Sequence, residues 1–345
     1  MVDGSVNMIE KDKNKSDEIN YFILIAVLSG LVLILFTSSI FLGTTSISIK
    51  KSLSAVSALE GLYLTIILEL RLPRAILALF MGAALGISGA ALQGLLRNPL
   101  AEPGLIGVSG ASALGSVIVF YTGLSVSYSF ALPVGGMTGA ALSILLLYFL
   151  AGKDPSILKL ILAGVAINTL TGALTVLALN LSPNPYAAYE VFFWLLGSLE
   201  NTSVNHVFLA APCICVGLII LATTGRGLDA LTLGEDVARS LGVGLRNLQA
   251  RIILGTALCV GASVSVAGVV GFVGLIVPHL LRPAVGHSPG RLLIVSGLGG
   301  ATLTLAADIS VRFIATGQGL QLGVLTALLG APFFILLVFK LREDD

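Results

Sequence analysis

The chain has 345 residues, of which 56% are hydrophobic and 11% charged, and its mean hydropathy is +1.01. Soluble domains carry about 25% charged residues, so lipid must be the solvent for most of this apolar surface. A net charge of +1 without a basic stripe excludes a nucleic-acid binder.

Residues 1–20 are polar, with mixed charge between Glu10 and Glu18, and read as a cytoplasmic tail. The apolar run 21–42 is too long for the core of a cleavable signal and long enough to span. It is expected as a retained first helix. With about 20 apolar residues per span, residues 21–345 read as an all-α, polytopic membrane domain of ten transmembrane helices. These are 21–42, 75–96, 105–124, 130–151, 157–181, 205–224, 250–270, 271–287, 291–313 and 321–340. Helices seven and eight are nearly continuous, with a break expected at Gly268–Gly271. Glu60, Glu69 and several serines interrupt the stretch 53–70, which is expected outside the membrane as a surface helix or short extended piece.

Lysine and arginine favour cytoplasmic loops. With the N-terminus inside, fourteen of the nineteen basic residues fall on the cytoplasmic side. Lys50, Lys51, Arg71, Arg74 and Arg312 fall outside. An even number of spans returns the C-terminus to the cytoplasm.

Small residues recur four apart at Gly82, Gly86, Ala90 and Gly94, and again at Gly107, Ala111 and Gly115. Such stripes let helix backbones approach closely in lipid. A glycine–proline pattern from Gly82 to Gly107 recurs from Gly261 to Gly286 at a constant offset of 179. Read as a true repeat, it makes helices 2–5 and 7–10 an inverted pair of the kind that encloses transport pathways; read as chance, it reflects the 40 glycines.

Three places carry polar chemistry. At Arg71-Leu-Pro-Arg74, two arginines share one helical face, either as snorkelling anchors or as a docking site for an acidic partner. Arg312 joins them unless it pairs with Asp308 on its own helix. The stretch 97–104, with Asn98, Pro99, Leu100 and Pro103, forces an irregular turn, which at membrane depth must be covered by protein or line a cavity. In the segment 225–249, Thr232 and Glu235 form an expected capping box, Glu235 and Asp236 suit a first turn, and Gly242 suits a stop. Leu233, Val237 and Leu241 line one face of a helix of about nine residues. That face fits either a partner protein or a connector lying on the bilayer. Cys213, Cys215 and Cys259 read as inert thiols, and the three histidines lack ligand spacing, so no metal site is expected.

The stretches LRLPR (70–74), GAALGISGAALQGLLRNPLAEPGLIGVSG (82–110), WLLGSL (194–199), LGEDVARSLGV (233–243), GFVGLIVPHLLR (271–282) and GVLTALLGAPFF (323–334) run in one order through nearly everything after residue 60. Together they resemble the FecCD-type permeases of vitamin B12, iron–siderophore and haem ABC importers. The resemblance implies a homodimer of ten-helix subunits and two cytoplasmic ABC ATPase subunits, which carry the ATP and Mg. It places the ATPase contact on Leu233, Gly234, Glu235, Asp236, Val237, Ala238, Arg239, Leu241 and Gly242. An extracytoplasmic substrate-binding protein is expected to meet Arg71, Arg74 and Arg312. Asn98, Pro99 and Leu100 match positions near a cytoplasmic gate, and Asn168, Thr169, Thr171 and Thr175 match a pore-lining helix. The stretch Gly317–Leu322 departs from the family pattern. The implied cargo is an iron chelate, siderophore or haem, with a corrinoid as the alternative.

No G-x-x-x-x-G-K-[ST] stretch occurs in the chain, so it has no P-loop to cradle ATP, and it is expected to bind no cofactor. An ion-coupled secondary transporter needs ionisable groups at the membrane midplane, yet the acidic residues sit near span ends. A membrane-embedded enzyme needs a catalytic pair, and His279 has no partner at a suitable spacing.

Overall fold

The computed structural model describes residues 2–43, 62–128, 130–152, 156–182, 185–314 and 319–343. Among these, all regular structure is helical. Lipid offers no partners to backbone N–H and C=O groups, so a chain this apolar satisfies them within helices. The first helix, α1, runs unbroken from Val2 to Phe41, joining the polar tail to the first span. Next is α2, Leu72–Leu96. After it come α3 (Val108–Tyr121), α4 (Ala131–Ala151), α5 (Ile157–Asn180) and α6 (Pro185–Leu195). Then follow α7 (Val204–Ala222), α8 (Gly225–Leu231), α9 (Glu235–Ser240) and α10 (Leu245–Ala267). The last three are α11 (Val273–Leu281), α12 (Pro289–Ile314) and α13 (Leu322–Glu343).

Among the described residues, seven helical stretches are long and apolar enough to cross a membrane: Glu18–Phe41, Ile66–Leu96, α4, α5, α7, α10 and α12; the sequence suggested ten spans. At 1.5 Å per residue, the 9 residues of α11 reach about 14 Å and the 14 of α3 about 21 Å, short of a hydrocarbon core of about 30 Å. The expected break between α10 and α11 is present: Gly268 leaves α10 at φ +72, and Phe272 starts α11 at φ +66. Residues 62–70, expected outside the membrane as a surface helix or short extended piece, are helical, but the part from Ile66 onward belongs to a span. A π-helical segment, Ile66–Arg71, feeds directly into α2 and lengthens that span. The rest of the stretch, 53–61, lies outside the described residues.

Close backbone approach organises the bundle. Side-chain carbons added at Gly82 or Gly86 of α2 would collide with the backbone carbonyls of Gly300 and Ser296 on α12. Antiparallel seams of the same kind join α3 to α4 through Gly115, Gly135 and Gly139, and α7 to α10 through Gly217 and Gly255. This is the small-residue packing expected where lipid removes the hydrophobic drive between helices. The helices α2 and α10 sit at the centre, with 78% of their span windows buried, against 6% for α1.

The 179-residue glycine offset matches helix positions in part: Gly82 and Gly261 both pack closely inside central helices, α2 against Gly300 and α10 against Ala140. Gly89 lies inside α2 against Gly274, whereas Gly268 carries the chain out of α10. Pro99 lies in a turn, whereas Pro278 lies inside α11. Gly107 and Gly286 play the same part, each ending a short 3-10 helix at positive φ.

Candidate functional sites at the two ends of the bundle

At one end, α8 leads into α9, which forms a small foot. Gly234, at φ +112, starts α9 without a side-chain cap. The expected capping box is absent, because Thr232 Oγ1 instead donates to the Asp229 carbonyl at 2.7 Å and closes α8. The expected stop is present: Gly242, at φ +83, donates to the Arg239 carbonyl, and Val243 donates to the Ala238 carbonyl. That paired ending fixes the helix with little burial. Ala238 is fully buried and anchors α9 to the body. The stripe Leu233, Val237 and Leu241 faces outward, 63%, 44% and 62% exposed. Glu235 and Arg239 make an exposed ion pair at 3.8 Å, a contact worth little by itself. Beside them, a cleft of about 240 Å³ opens between the foot and the start of α5, lined by Ser156, Arg246 and Gln249 among others.

At the same end, the irregular loop after α2 is tightly buttressed. Arg97 closes α2 in the left-handed region, at φ 48. The exposed Asn98 accepts the Leu100 N–H through Oδ1 at 2.9 Å, and Pro99 and Leu100 are half-buried. Below the loop, Gln93 is 1% exposed. Its Nε2 donates toward the carbonyls of Ala101, Gly274 and Leu275, and its Oε1 accepts from Arg282. The Glu102 carboxylate accepts the Phe272 N–H at 2.8 Å. Burial pushes the Glu102 carboxyl above its ordinary pKa, and this bond partly opposes the rise. Loop 97–107 and segment 268–282 are thereby tied into one unit. Sequence reasoning passed over Gln93, Glu102 and Arg282 as site residues. A lone amide inside the apolar run 91–96 was the available signal, since a polar group in lipid must find partners.

At the opposite end, Asp308 is fully buried and holds two arginines. Arg74 reaches it through Nε at 2.9 Å and Nη2 at 2.8 Å. Arg312, one turn along α12, also pairs with it. Arg312 donates in addition to the Ser39 and Leu42 carbonyls, and Arg71 donates to those of Ile40 and Phe41. These are the orphan carbonyls at the end of α1, where positive charge is favoured. Arg71 and Arg312 are thus buried, 5% and 6% exposed, and engaged within the chain, while the Arg74 side chain keeps 16% exposure.

Along the flank, α5 buries one stripe, Leu160, Ala163, Gly164, Ile167 and Thr171. Asn168 and Thr169, halfway along the helix, are exposed.

This architecture, a bundle of long apolar helices with an exposed apolar foot at one end, defines a multi-pass membrane protein. The model of the FecCD transport family matches residues 31–340. The vitamin B12 import system permease protein BtuC of Vibrio cholerae is 41% identical over 294 residues, spanning 85% of this chain and 88% of the relative. The hemin transport system permease protein HmuU of Yersinia pestis is 37% identical over 287 residues, spanning 80% and 84%. A solved structure described as an inward-facing, metal-chelate-type ABC transporter superposes with a TM-score of 0.82 at 32% identity, covering 92% of this chain and 98% of its own. The chain belongs to the FecCD transport family. It is the permease of an ABC importer, a transport subunit of the inner membrane and not an enzyme.

Proposed function

We propose that this permease passes an iron chelate, siderophore or haem, into the cytoplasm, driven by two ATPase subunits docked on its foot. The observation that carries the ATP-driven part of this reading is the outward-facing stripe Leu233, Val237 and Leu241. An apolar face held in water on a six-residue helix is marginal alone and suits a protein partner. Glu235 and Arg239 flank the stripe with charges that would fix its register, and the adjoining cleft leaves room for a partner's side chains. On this reading the foot end is cytoplasmic, as are both chain termini, and ATP and Mg stay on the partner.

The functional unit we infer is a homodimer of ten-helix subunits, in which α3, α11 and α13 join the seven long helices. Asn168 and Thr169 support it: polar groups halfway along a membrane helix are costly in lipid. A second copy or a water-filled pathway would relieve that cost. Asn98, Pro99 and Leu100 would lie at the inner gate, braced by Gln93 and Glu102. At the outer end, a binding protein would meet Arg74 directly, with Arg71 and Arg312 shaping that face from beneath.

A corrinoid is the second reading of the cargo, favoured by the 41% identity to a B12 permease. Proteoliposomes holding the permease, its ATPase and its binding protein distinguish the two readings. Iron-chelate transport predicts ATP-dependent uptake of labelled hemin or ferric siderophore and none of labelled cyanocobalamin. Uptake of cyanocobalamin alone would reverse the choice, and ATP-independent uptake would refute the ABC mechanism.

A further inference from the structure

Asp229 lies on α8, the helix that leads into the foot. Its Oδ1 accepts the Gly290 N–H at 2.8 Å and the Ser288 hydroxyl at 3.1 Å. Both donors belong to the start of α12, where backbone N–H groups lack helical partners and negative charge is favoured. The fit is close, because a side-chain carbon at Gly290 would strike the Asp229 carboxylate.

The surroundings make α8 a wedge. Leu228, fully buried, sits over Gly94 of α2; Gly227 lies against Leu248 of α10; Gly225 faces Gly290 of α12. From α8 to α9 the chain has only Thr232, Leu233 and Gly234, and Thr232 is bonded back to Asp229. The foot itself buries one residue, Ala238. A force on the foot enters the bundle through α8 on one side and, across residues 241–244, through α10 on the other, and of the two it is α8 that is bonded to the start of α12. Apolar contacts such as Leu228 on Gly94 slide at little cost, whereas the Asp229 bonds are directional and short.

We propose that Asp229 is a positioning residue for transport: it transmits displacement of the foot to α12. The proposal rests on the ATPase-docking reading above. Replacing Asp229 by alanine leaves the apolar wedge and the foot intact but unhooks α12. Asp229→Asn retains an oxygen where Oδ1 stands and keeps both bonds.

The test uses the permease–ATPase complex in lipid, with the three native cysteines replaced by alanine and spin labels at Ile294→Cys on α12 and Val216→Cys on α7, both exposed positions. The distance between the labels is measured before and after Mg-ATP with vanadate. The parent is expected to shift, Asp229→Ala to retain ATPase binding with a shift reduced at least twofold, and Asp229→Asn to restore it. A parental shift in Asp229→Ala overturns the proposal, and so does equal loss in the alanine and asparagine variants. If Asp229→Ala does not fold, Ser288→Ala removes one of the two bonds; a reduced shift then supports the proposal and an unchanged one overturns it. Failure of the docking reading looks different, since no ATPase would then co-purify with the parent chain.

Discussion

Replacing Asp308 by alanine removes the negative charge that two arginines share inside the bundle. Its side chain is 1% exposed, and that of Arg312 is 4% exposed. Arg74, at 16%, can recover some hydration, so the cost falls mainly on Arg312. Arg312 would keep its bonds to Ser39 and Leu42 but lose its counter-charge. Removing one partner of a buried pair costs about 3–5 kcal/mol, because the other charge is left uncompensated. At about 1.4 kcal/mol per tenfold, this shifts the unfolding equilibrium by roughly two to four powers of ten. The assay is denaturant unfolding of the purified permease in detergent, followed by fluorescence of the single tryptophan, Trp194. A triple variant, Asp308→Leu with Arg74→Leu and Arg312→Leu, is expected to be less destabilised than Asp308→Ala, since it leaves no orphan charge. A loss below about 0.5 kcal/mol for Asp308→Ala, the scale of an ordinary surface change, would refute the structural role. The arginines would then be free to serve docking alone.

Gly86→Ala places a methyl group against the Ser296 carbonyl and should destabilise the α2–α12 seam by about 1–3 kcal/mol, measured in the same unfolding assay. Leu233→Asp with Val237→Asp should abolish ATPase co-purification while leaving the melting temperature of the isolated permease unchanged, because both side chains face outward. The raised Glu102 pKa means that the folded state holds its proton more tightly than the unfolded chain does. Its contribution to stability is therefore complete below the ordinary carboxylate pKa and is lost as pH rises through the elevated value. Melting temperature against pH should show this decline, and Glu102→Gln should flatten it. Gln93→Leu leaves the Arg282 guanidinium without its buried acceptor; a protease-accessibility assay should find the 97–107 loop cut faster.

Membrane character, the helix series and the foot were legible because each rests on composition or on local spacing. Gly242 ended its helix as expected, since a left-handed stop is a one-residue decision. Thr232 failed as a cap because capping depends on where the preceding helix closes, which spacing alone leaves open. The glycine repeat matches unevenly for a related reason: Gly107 and Gly286 do the same work, whereas Gly89 packs inside a helix and Gly268 ends one at positive φ. Asp308 was visible as the partner of Arg312, whereas its bond to Arg74 joins residues 234 apart in sequence. Gln93 and Asp229 gain meaning only from carbonyl and amide groups that the fold brings to them.

The helix α12 touches both faces of the protein: its first residues hold Asp229, and its last turn carries Arg312. Its 26 residues make a rod about 39 Å long. Pivoting such a rod by about 5° sweeps its far tip through about 3 Å, roughly the length of one hydrogen bond. The cradle of α1 carbonyls around Arg312 would have to stretch, break or travel with it. A disturbance at either surface is thus felt as a geometric mismatch at the other, with no intervening loop to absorb it.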